Sequence, residues 1–444
     1  MSFTPDDVRF LATHLDAIDE VTPELGLTKA SAFSDHAHLS ERFGDRARAV
    51  AELITARQRA AAKFPSVRTE PGASQPARSQ PGWLMDSDSA QQATPHPVAQ
   101  VRAGHLHAAG IELVHDVTCS IASEAPAMLE LGMSYLGSDL DFSRLLMARH
   151  NVELFLNELA DADAAPPDAA PRAWLARADA LAPIMAPVSA PALAPASSRH
   201  RPTHTAIVAD PARRADGRRI TDPAKLIPPL PDLIAAHPGA HMSVKCAPGI
   251  DYSGWDGLVS VVSVDGGVKE ACLYTPGLSD ARREAVVIRT ATDAGTDAGA
   301  GTAGAAFVAE RVRDGDGGEV GVDKHGAFIV EPDGAVIRAG LVQQWAARHG
   351  LWMLDPRIAF LTGDAIPAGW SGFRVRERVP LKKLKAALAA HDAGAVEILV
   401  RGVNVDPDAL RKKMKLRGDA SRAVVIAREG TMAVAYVCDA RERG

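Results

Sequence analysis

Residues Val114 to Glu124 constrain this chain more than any other stretch. An apolar run from Ile111 to Val117 reaches a turn of small residues, Thr118-Cys119-Ser120, and a helical pattern starts at about Ala122. A second apolar run follows and ends in two acids, Tyr135-Leu136-Gly137-Ser138-Asp139-Leu140-Asp141. Strand, tight turn, helix, strand and an acid some twenty residues on is the order found in the first half of a nucleotide-type cofactor site. The glycines such a turn normally carries are absent.

From residue 111 onward strands and helices alternate, which predicts a parallel sheet with helices on both faces. Strands are expected at about 111–117, 134–139, 173–178, 205–210 and 241–246, with helices at 122–131 and 142–159. Leu258 to Val264 and Val268 to Tyr274 flank Asp265-Gly266-Gly267, a hairpin signal that adds an antiparallel edge. Upstream, Thr4-Pro5-Asp6-Asp7 reads as an N-cap opening a helix to about residue 20. A second helix is expected over 45–64 and another over 97–109. Residues 66–81 read as a linker, 181–200 as a proline-rich loop and 291–306 as a flexible Gly/Ala/Thr/Asp insertion. Past Pro356 a smaller α+β pattern follows, with strands near 373–379, 396–400, 423–427 and 432–437 and helices near 381–391 and 407–414. The expected division is an N-terminal helical region (1–98), a cofactor domain (99–325) and a C-terminal domain (326–444).

Composition excludes several classes. Cys119, Cys246, Cys272 and Cys438 are far apart and form no CxxC, so neither a disulfide framework nor a zinc site is expected, and no metal is. The first thirty residues lack a basic start and a long apolar core, and no run of eighteen apolar residues occurs; a cytoplasmic protein is expected. The net charge of -6 names no partner, but charge is segregated: residues 374–417 hold twelve Lys/Arg against five acids. Oligomeric state is not legible.

Several residues can carry chemistry. Asp139, 23 positions after Asp116, can accept both hydroxyls of a ribose, while Asp141 is read as the cap of the next helix. Asp179, after the third run, is either an adenine contact or an exposed loop acid. The fourth strand ends in Asp210-Pro211-Ala212-Arg213-Arg214, a carboxylate and a rigid turn beside a crevice, followed by arginines able to reach a phosphate or carboxylate. Lys245, at the fifth strand's end, either lies on the same rim or is a plain strand-end lysine. Glu124 is either a first-turn acid favouring the helix dipole or a contact for a ligand ammonium.

In this order Asp116 to Ala122, Gly137 to Asp141, Ala178-Asp179-Ala180, Asp210 to Arg214 and Val244 to Gly249 resemble the motifs of class I S-adenosylmethionine (SAM)-dependent methyltransferases. More narrowly, the chain resembles bacterial methyltransferases with a C-terminal THUMP-like domain; Gln92-Ala93-Thr94-Pro95, Val330 to Leu341 and Arg401 to Pro407 support this. The resemblance implies a Rossmann-like, seven-stranded methyltransferase sheet, with an N-terminal helical region before it and a small α+β THUMP-like domain after it. It implies SAM over the ends of strands one and two, against Asp116, Thr118, Cys119, Ser120, Ala122, Glu124, Asp139, Leu140 and Asp179. It places Asp210 as the residue orienting the methyl acceptor, and it implies an RNA partner, tRNA or rRNA, met by Pro211, Arg213, Arg214, Lys245, Lys412 and Lys413.

The chain departs from the family at the turn, where Thr118, Ser120 and Ala122 replace glycines. Three non-glycine residues at positive φ would cost about 1–2 kcal/mol each. All three are small, and two hydroxyls can bond a carboxylate or local backbone. A non-catalytic RNA-binding descendant, or a methyltransferase for a small molecule or protein, are the competing expectations.

Overall fold

In a computed structural model of the chain the described residues are 3–61, 63, 64, 82–161, 172–184, 205–212, 214, 215, 218–290 and 307–444. The expected linker 66–81, most of the loop 181–200, the insertion 291–306 and Arg213 lie outside them. The chain divides into two compact units, one of Met1–Asp265, Lys269–Asp280 and Ile288–Ala309, the other of Gly266–Val268, Ala281–Val287 and Glu310–Gly444.

The apolar runs form strands where expected: β1 (Leu113–Asp116), β2 (Ser134–Asp139), β3 (Ala173–Arg177), β4 (Thr205–Ala209) and β5 (His241–Cys246). β6 (Val259–Val264) and β7 (Gly267–Tyr274) follow, then β8 (Arg283–Thr290) and β9 (Phe307–Arg313). Asp265 and Gly266 join β6 to β7 with φ of 49° and 77°, the two left-handed positions of a hairpin turn that Asp-Gly favours. The strand order is β9-β8-β6-β7-β5-β4-β1-β2-β3. β1, β2, β3, β4 and β5 pair in parallel, and β7 runs antiparallel to β5. The expected seven strands are therefore there, and β8 and β9 extend the sheet to nine.

Register sets the site. Asp116 on β1 lies opposite Gly137 of β2 and Val208 of β4, so Asp139 and Asp210, each two residues on, flank it at the carboxyl ends. Gly137 admits the turn after β1: a Cβ there would lie 2.6 Å from Leu175 Cδ2 and 3.1 Å from Cys119 Cβ.

The N-terminal region is more broken than its pattern suggests. α1 (Pro5–Thr13) and α2 (Leu15–Val21) are separated at His14, whose φ is -122°. An unexpected α3 (Ala32–Phe43) precedes α4 (Ala47–Ala60), burying little more than Leu39 and Phe43. α5 (Ser87–Gln92) opens on a capping box of Asp86 and Ser89, and α6 (His96–Ala108) leads into β1. These helices share a core with Ile121 and Met147 of the cofactor region. Buried Asn151 bonds Leu84 N, Leu84 O and Ile121 O at 2.7, 2.9 and 3.1 Å. It thereby ties the N-terminal segment to the turn after β1. α7 (Ala125–Glu130), α8 (Phe142–Asp161) and α9 (Leu230–Ala236) complete this unit.

In the second unit β10 (Phe328–Val330) is followed by α10 (Gly334–Ala339) and α11 (Val342–Arg348). Then come β11 (Trp352–Met353), β12 (Leu361–Gly363), β13 (Ser371–Pro380), α12 (Leu384–Ala390), β14 (Ala393–Arg401) and α13 (Pro407–Met414). β15 (Ala420–Glu429), β16 (Met432–Asp439) and β17 (Glu442–Arg443) close it. The sheet order is β11-β12-β10-β13-β16-β15-β14, with β17 beside β13. Alternation along β15 and β16 divides the core by face. Val424, Ile426, Ala435 and Val437 pack with Leu384, Leu388 and Met414 of α12 and α13, whereas Val425, Ala427 and Tyr436 pack with Phe360 and Phe373. Both helices therefore cover one face.

Candidate active site

A cavity opens where β1, β2 and β4 end, lined by Ser89, Gln92, Asp116, Thr118 to Ile121, Ser123, Glu124, Asp139, Arg144, Val208, Asp210, Ala212, Ile227 and Lys245. Its floor is the small-residue turn. Ser120 and Ala122 take φ of 50° and 60°, while Thr118 is not among the positive-φ residues. Two strained positions remain, not three. One hydroxyl and two amides of the turn offset them. Thr118 donates its N–H to Asp116 Oδ1 at 3.1 Å and accepts the Asp210 N–H on Oγ1 at 2.6 Å. Ser120 donates its N–H to Asp139 Oδ2 at 3.0 Å. A glycine at 118 could not make the hydroxyl bond that ties the β1 and β4 loops together.

Beneath the turn lies a buried charge network. Arg102 of α6 holds Glu124 through Nε at 3.2 Å and Glu270 of β7 through Nη2 at 2.6 Å. Lys245 of β5 meets Asp210 at 2.6 Å, Glu124 at 3.2 Å and the Thr94 hydroxyl. Its three ammonium protons thus face three acceptors. Burial would raise the Glu124 carboxyl, but Arg102 and Lys245 outweigh it and hold it down at about 2. Asp116 goes the other way. Burial and the neighbouring Glu124 charge push it up to about 7, although Lys245, Thr118 N–H and Tyr135 hydroxyl (3.0 Å) favour the anion.

Asp139 is half-buried, and its oxygens accept the Ser120 and Asp141 N–H groups at 3.0 and 2.9 Å. Asp141 bonds Ser143 N and Arg144 N at the start of α8. The Ser120 Oγ and Arg144 Nε atoms are buried without a hydrogen-bond partner. A ligand carrying both cationic and anionic groups suits this mixture of acids and unsatisfied donors.

Relatives decide what the site belongs to. An uncharacterized S-adenosylmethionine-dependent methyltransferase of Mycobacterium tuberculosis, in strains CDC 1551/Oshkosh and H37Rv, is 41% identical over 410 residues, covering 89% of this chain and 98% of the relative. The chain belongs to the SAM-dependent methyltransferases. Residues 371–440 match the THUMP domain-like family. A crystal structure of a candidate methyltransferase from Porphyromonas gingivalis W83 superposes with a TM-score of 0.64 at 16% identity, covering 99% of both chains, which shows the shared fold.

Within this methyltransferase Asp116, Thr118, Cys119, Ser120, Glu124, Asp139, Asp210 and Lys245 all line the cavity, and buried Ala122 shapes its turn. Leu140 and Asp179 do not line it. Leu140 is exposed, and Asp179 is an exposed acid whose Oδ1 accepts the Leu181 N–H at 2.9 Å. Glu124, read either as a first-turn acid or as a contact for a ligand ammonium, stands immediately before α7 and is paired with Arg102 and Lys245. Lys245 was expected on the rim and is buried instead. Pro211 is also buried. The side chains of Arg213 and Arg214 lie outside the described residues. Lys412 and Lys413 are exposed on α13, in the second unit. Sequence reasoning missed Arg102, Glu270 and Arg144. Thr94 was quoted only as part of a motif, with no role.

Proposed function

We propose that this methyltransferase modifies RNA, tRNA or rRNA, in the cytoplasm, with the basic face of the second unit supplying much of the affinity. One observation carries the reading. Lys382, Lys383, Lys385, Lys412, Lys413, Lys415 and Arg417 have no ion-pair partner among the described residues, whereas Arg376, Arg378, Arg401, Arg411 and Arg422 are each paired to an acid. The unpaired cations belong to the segments of α12 and α13, the two helices that cover one sheet face. Unneutralised lysines on one face suit a phosphate backbone, and they fall inside the stretch that matches the THUMP domain-like family.

In the cavity, Asp139 is assigned to the ribose of the cofactor and Asp210, braced by Lys245 and Thr118 Oγ1, to orienting the methyl acceptor. SAM supplies an electrophilic methyl on a sulfonium, so positioning provides much of the acceleration. Of the four acids on the wall, Glu124 and Asp210 are paired with Lys245 and Asp116 is pushed toward its protonated form; Asp139 has no ion-pair partner among the described residues, and its charge favours such a cation.

Binding of total tRNA and of rRNA, titrated against salt, tests the proposal. Affinity should fall steeply with salt. The triple variant Lys412→Glu, Lys413→Glu, Lys415→Glu should bind at least tenfold more weakly and lower the log–log slope by up to about 3. Binding that is absent or insensitive to salt would move the substrate to a small molecule or a protein.

A further inference from the structure

Five of the charged side chains around the cavity are already engaged. Glu124 pairs with Arg102 and Lys245, and Asp210 with Lys245, which also bonds Thr94. Asp116 accepts from Thr118 N–H and Tyr135 hydroxyl, and Asp139 from two backbone N–H groups. Arg144, in the first turn of α8, is the exception. Its backbone N–H bonds Asp141, but its guanidinium makes no ion pair or hydrogen bond among the described residues, and its Nε is buried without a partner. A buried N–H left unsatisfied in this way is costly unless a ligand completes it.

The cofactor carries one anionic group, the carboxylate of its methionyl part. A guanidinium binds a carboxylate through two parallel N–H donors, which gives both strength and orientation. We propose that Arg144 is the carboxylate anchor of this methyltransferase, with the Ser120 hydroxyl as a second donor. Ser120 Oγ is the other buried polar atom of the cavity wall without a hydrogen-bond partner among the described residues. The assignment accounts for both orphan atoms with one ligand group, and it places the wall's one unengaged cation among the described residues against the ligand's carboxylate. It also gives the serine at position 120 a use that glycine would not have. The inference rests on the cofactor alone and stands whether or not the acceptor is RNA.

Isothermal titration with two ligands tests it. One is S-adenosylhomocysteine; the other is S-adenosyl-3-thiopropylamine, the same molecule without its carboxylate. Arg144→Ala should weaken S-adenosylhomocysteine at least tenfold and change the thiopropylamine less than twofold. Arg144→Gln, which keeps the side chain's reach, should show the same selective loss, and Arg144→Lys should fall between it and the parent. Unchanged S-adenosylhomocysteine affinity would overturn the proposal and give Arg144 to the methyl acceptor. Equal losses for both ligands in both variants would overturn it too, by showing that Arg144 only shapes the cavity.

Discussion

The cofactor region and the THUMP-like stretch treat charge in opposite ways. In the first, Arg102, Glu124, Glu270 and Lys245 are buried and neutralise one another below the cofactor turn. In the second, residues 371–440, charge lies on the outside: Arg376 pairs with Asp439 on the neighbouring strand, Arg378 reaches Glu429 two strands away, and lysines near and on α12 and α13 have no ion-pair partner among the described residues. Solvated cations cost little to keep and remain available to a partner. Buried ones hold the shape around them only while the set is complete. The first arrangement fixes the cavity's geometry, and the second leaves a surface whose strength depends on salt.

The largest effect should come from breaking the buried set. Glu124→Gln leaves Arg102 with Glu270 and Lys245 with Asp210, but removes the carboxylate that joins the two cations. A loss of about 3 kcal/mol is expected in the first unit, since removing one partner strands buried charge. Native-state hydrogen exchange reads each unit by itself, through the α6 and β1 amides in the first. The triple lysine variant on α13 should change protection in its own unit by less than about 0.5 kcal/mol. If the two substitutions cost the same, the contrast between the units fails.

The second effect is a pH dependence confined to the buried side. Asp116, raised to about 7, keeps its proton in the folded state over a range where the unfolded chain, with an ordinary value of 3.8, has lost it. Stability therefore falls as pH rises from about 4 to about 7. Glu124 contributes with the opposite sign: its pairing is fully present above its ordinary value of 4.5 and is lost only as pH falls toward about 2. Asp116→Asn has no proton to lose, and Tyr135 can turn its hydroxyl to accept from the new amide. Relative to the parent, the variant should gain about 1–3 kcal/mol between pH 5 and pH 8. Stability curves that stay parallel over that interval would place the ionised carboxylate in better company than its burial indicates.

What was legible in the sequence follows the same division. The run Ala206 to Ala209 is apolar on both sides, as a strand covered on two faces must be, and β1 to β5 fell where expected. The α3 helix buries little more than Leu39 and Phe43, too sparse a pattern to register against its Ser and His content. The site was legible where it depends on chain order, as with Asp116, Asp139 and Asp210 at three strand ends. It was not legible where it depends on meetings between distant elements. Arg102 reaches Glu270 across 168 residues, and Lys245 is buried because Thr94, Glu124 and Asp210 arrive from three other segments. A strand-end lysine carries no mark of that company. Nor did the replaced glycines reveal which positions are strained; only Ser120 and Ala122 take positive φ.

Asp139 lies between the two extremes, half-buried and bonded to two backbone amides, with no cation among the described residues within ion-pairing distance. Two tasks are therefore mixed in it: holding the Ser120 N–H, and meeting the ribose. Asp139→Ala should weaken S-adenosylhomocysteine about tenfold, or about 1.4 kcal/mol. Either task could produce that loss, since a released Ser120 amide would loosen the turn that shapes the cavity. An analogue without the two ribose hydroxyls separates them. The parent should prefer S-adenosylhomocysteine over this analogue by about tenfold, as expected for charge-assisted bonds to a carboxylate. In Asp139→Ala the preference should vanish while residual binding of both ligands persists. A preference that survives the substitution would give the hydroxyls to another residue and leave Asp139 as the clamp on the turn, the arrangement its two amide bonds already make.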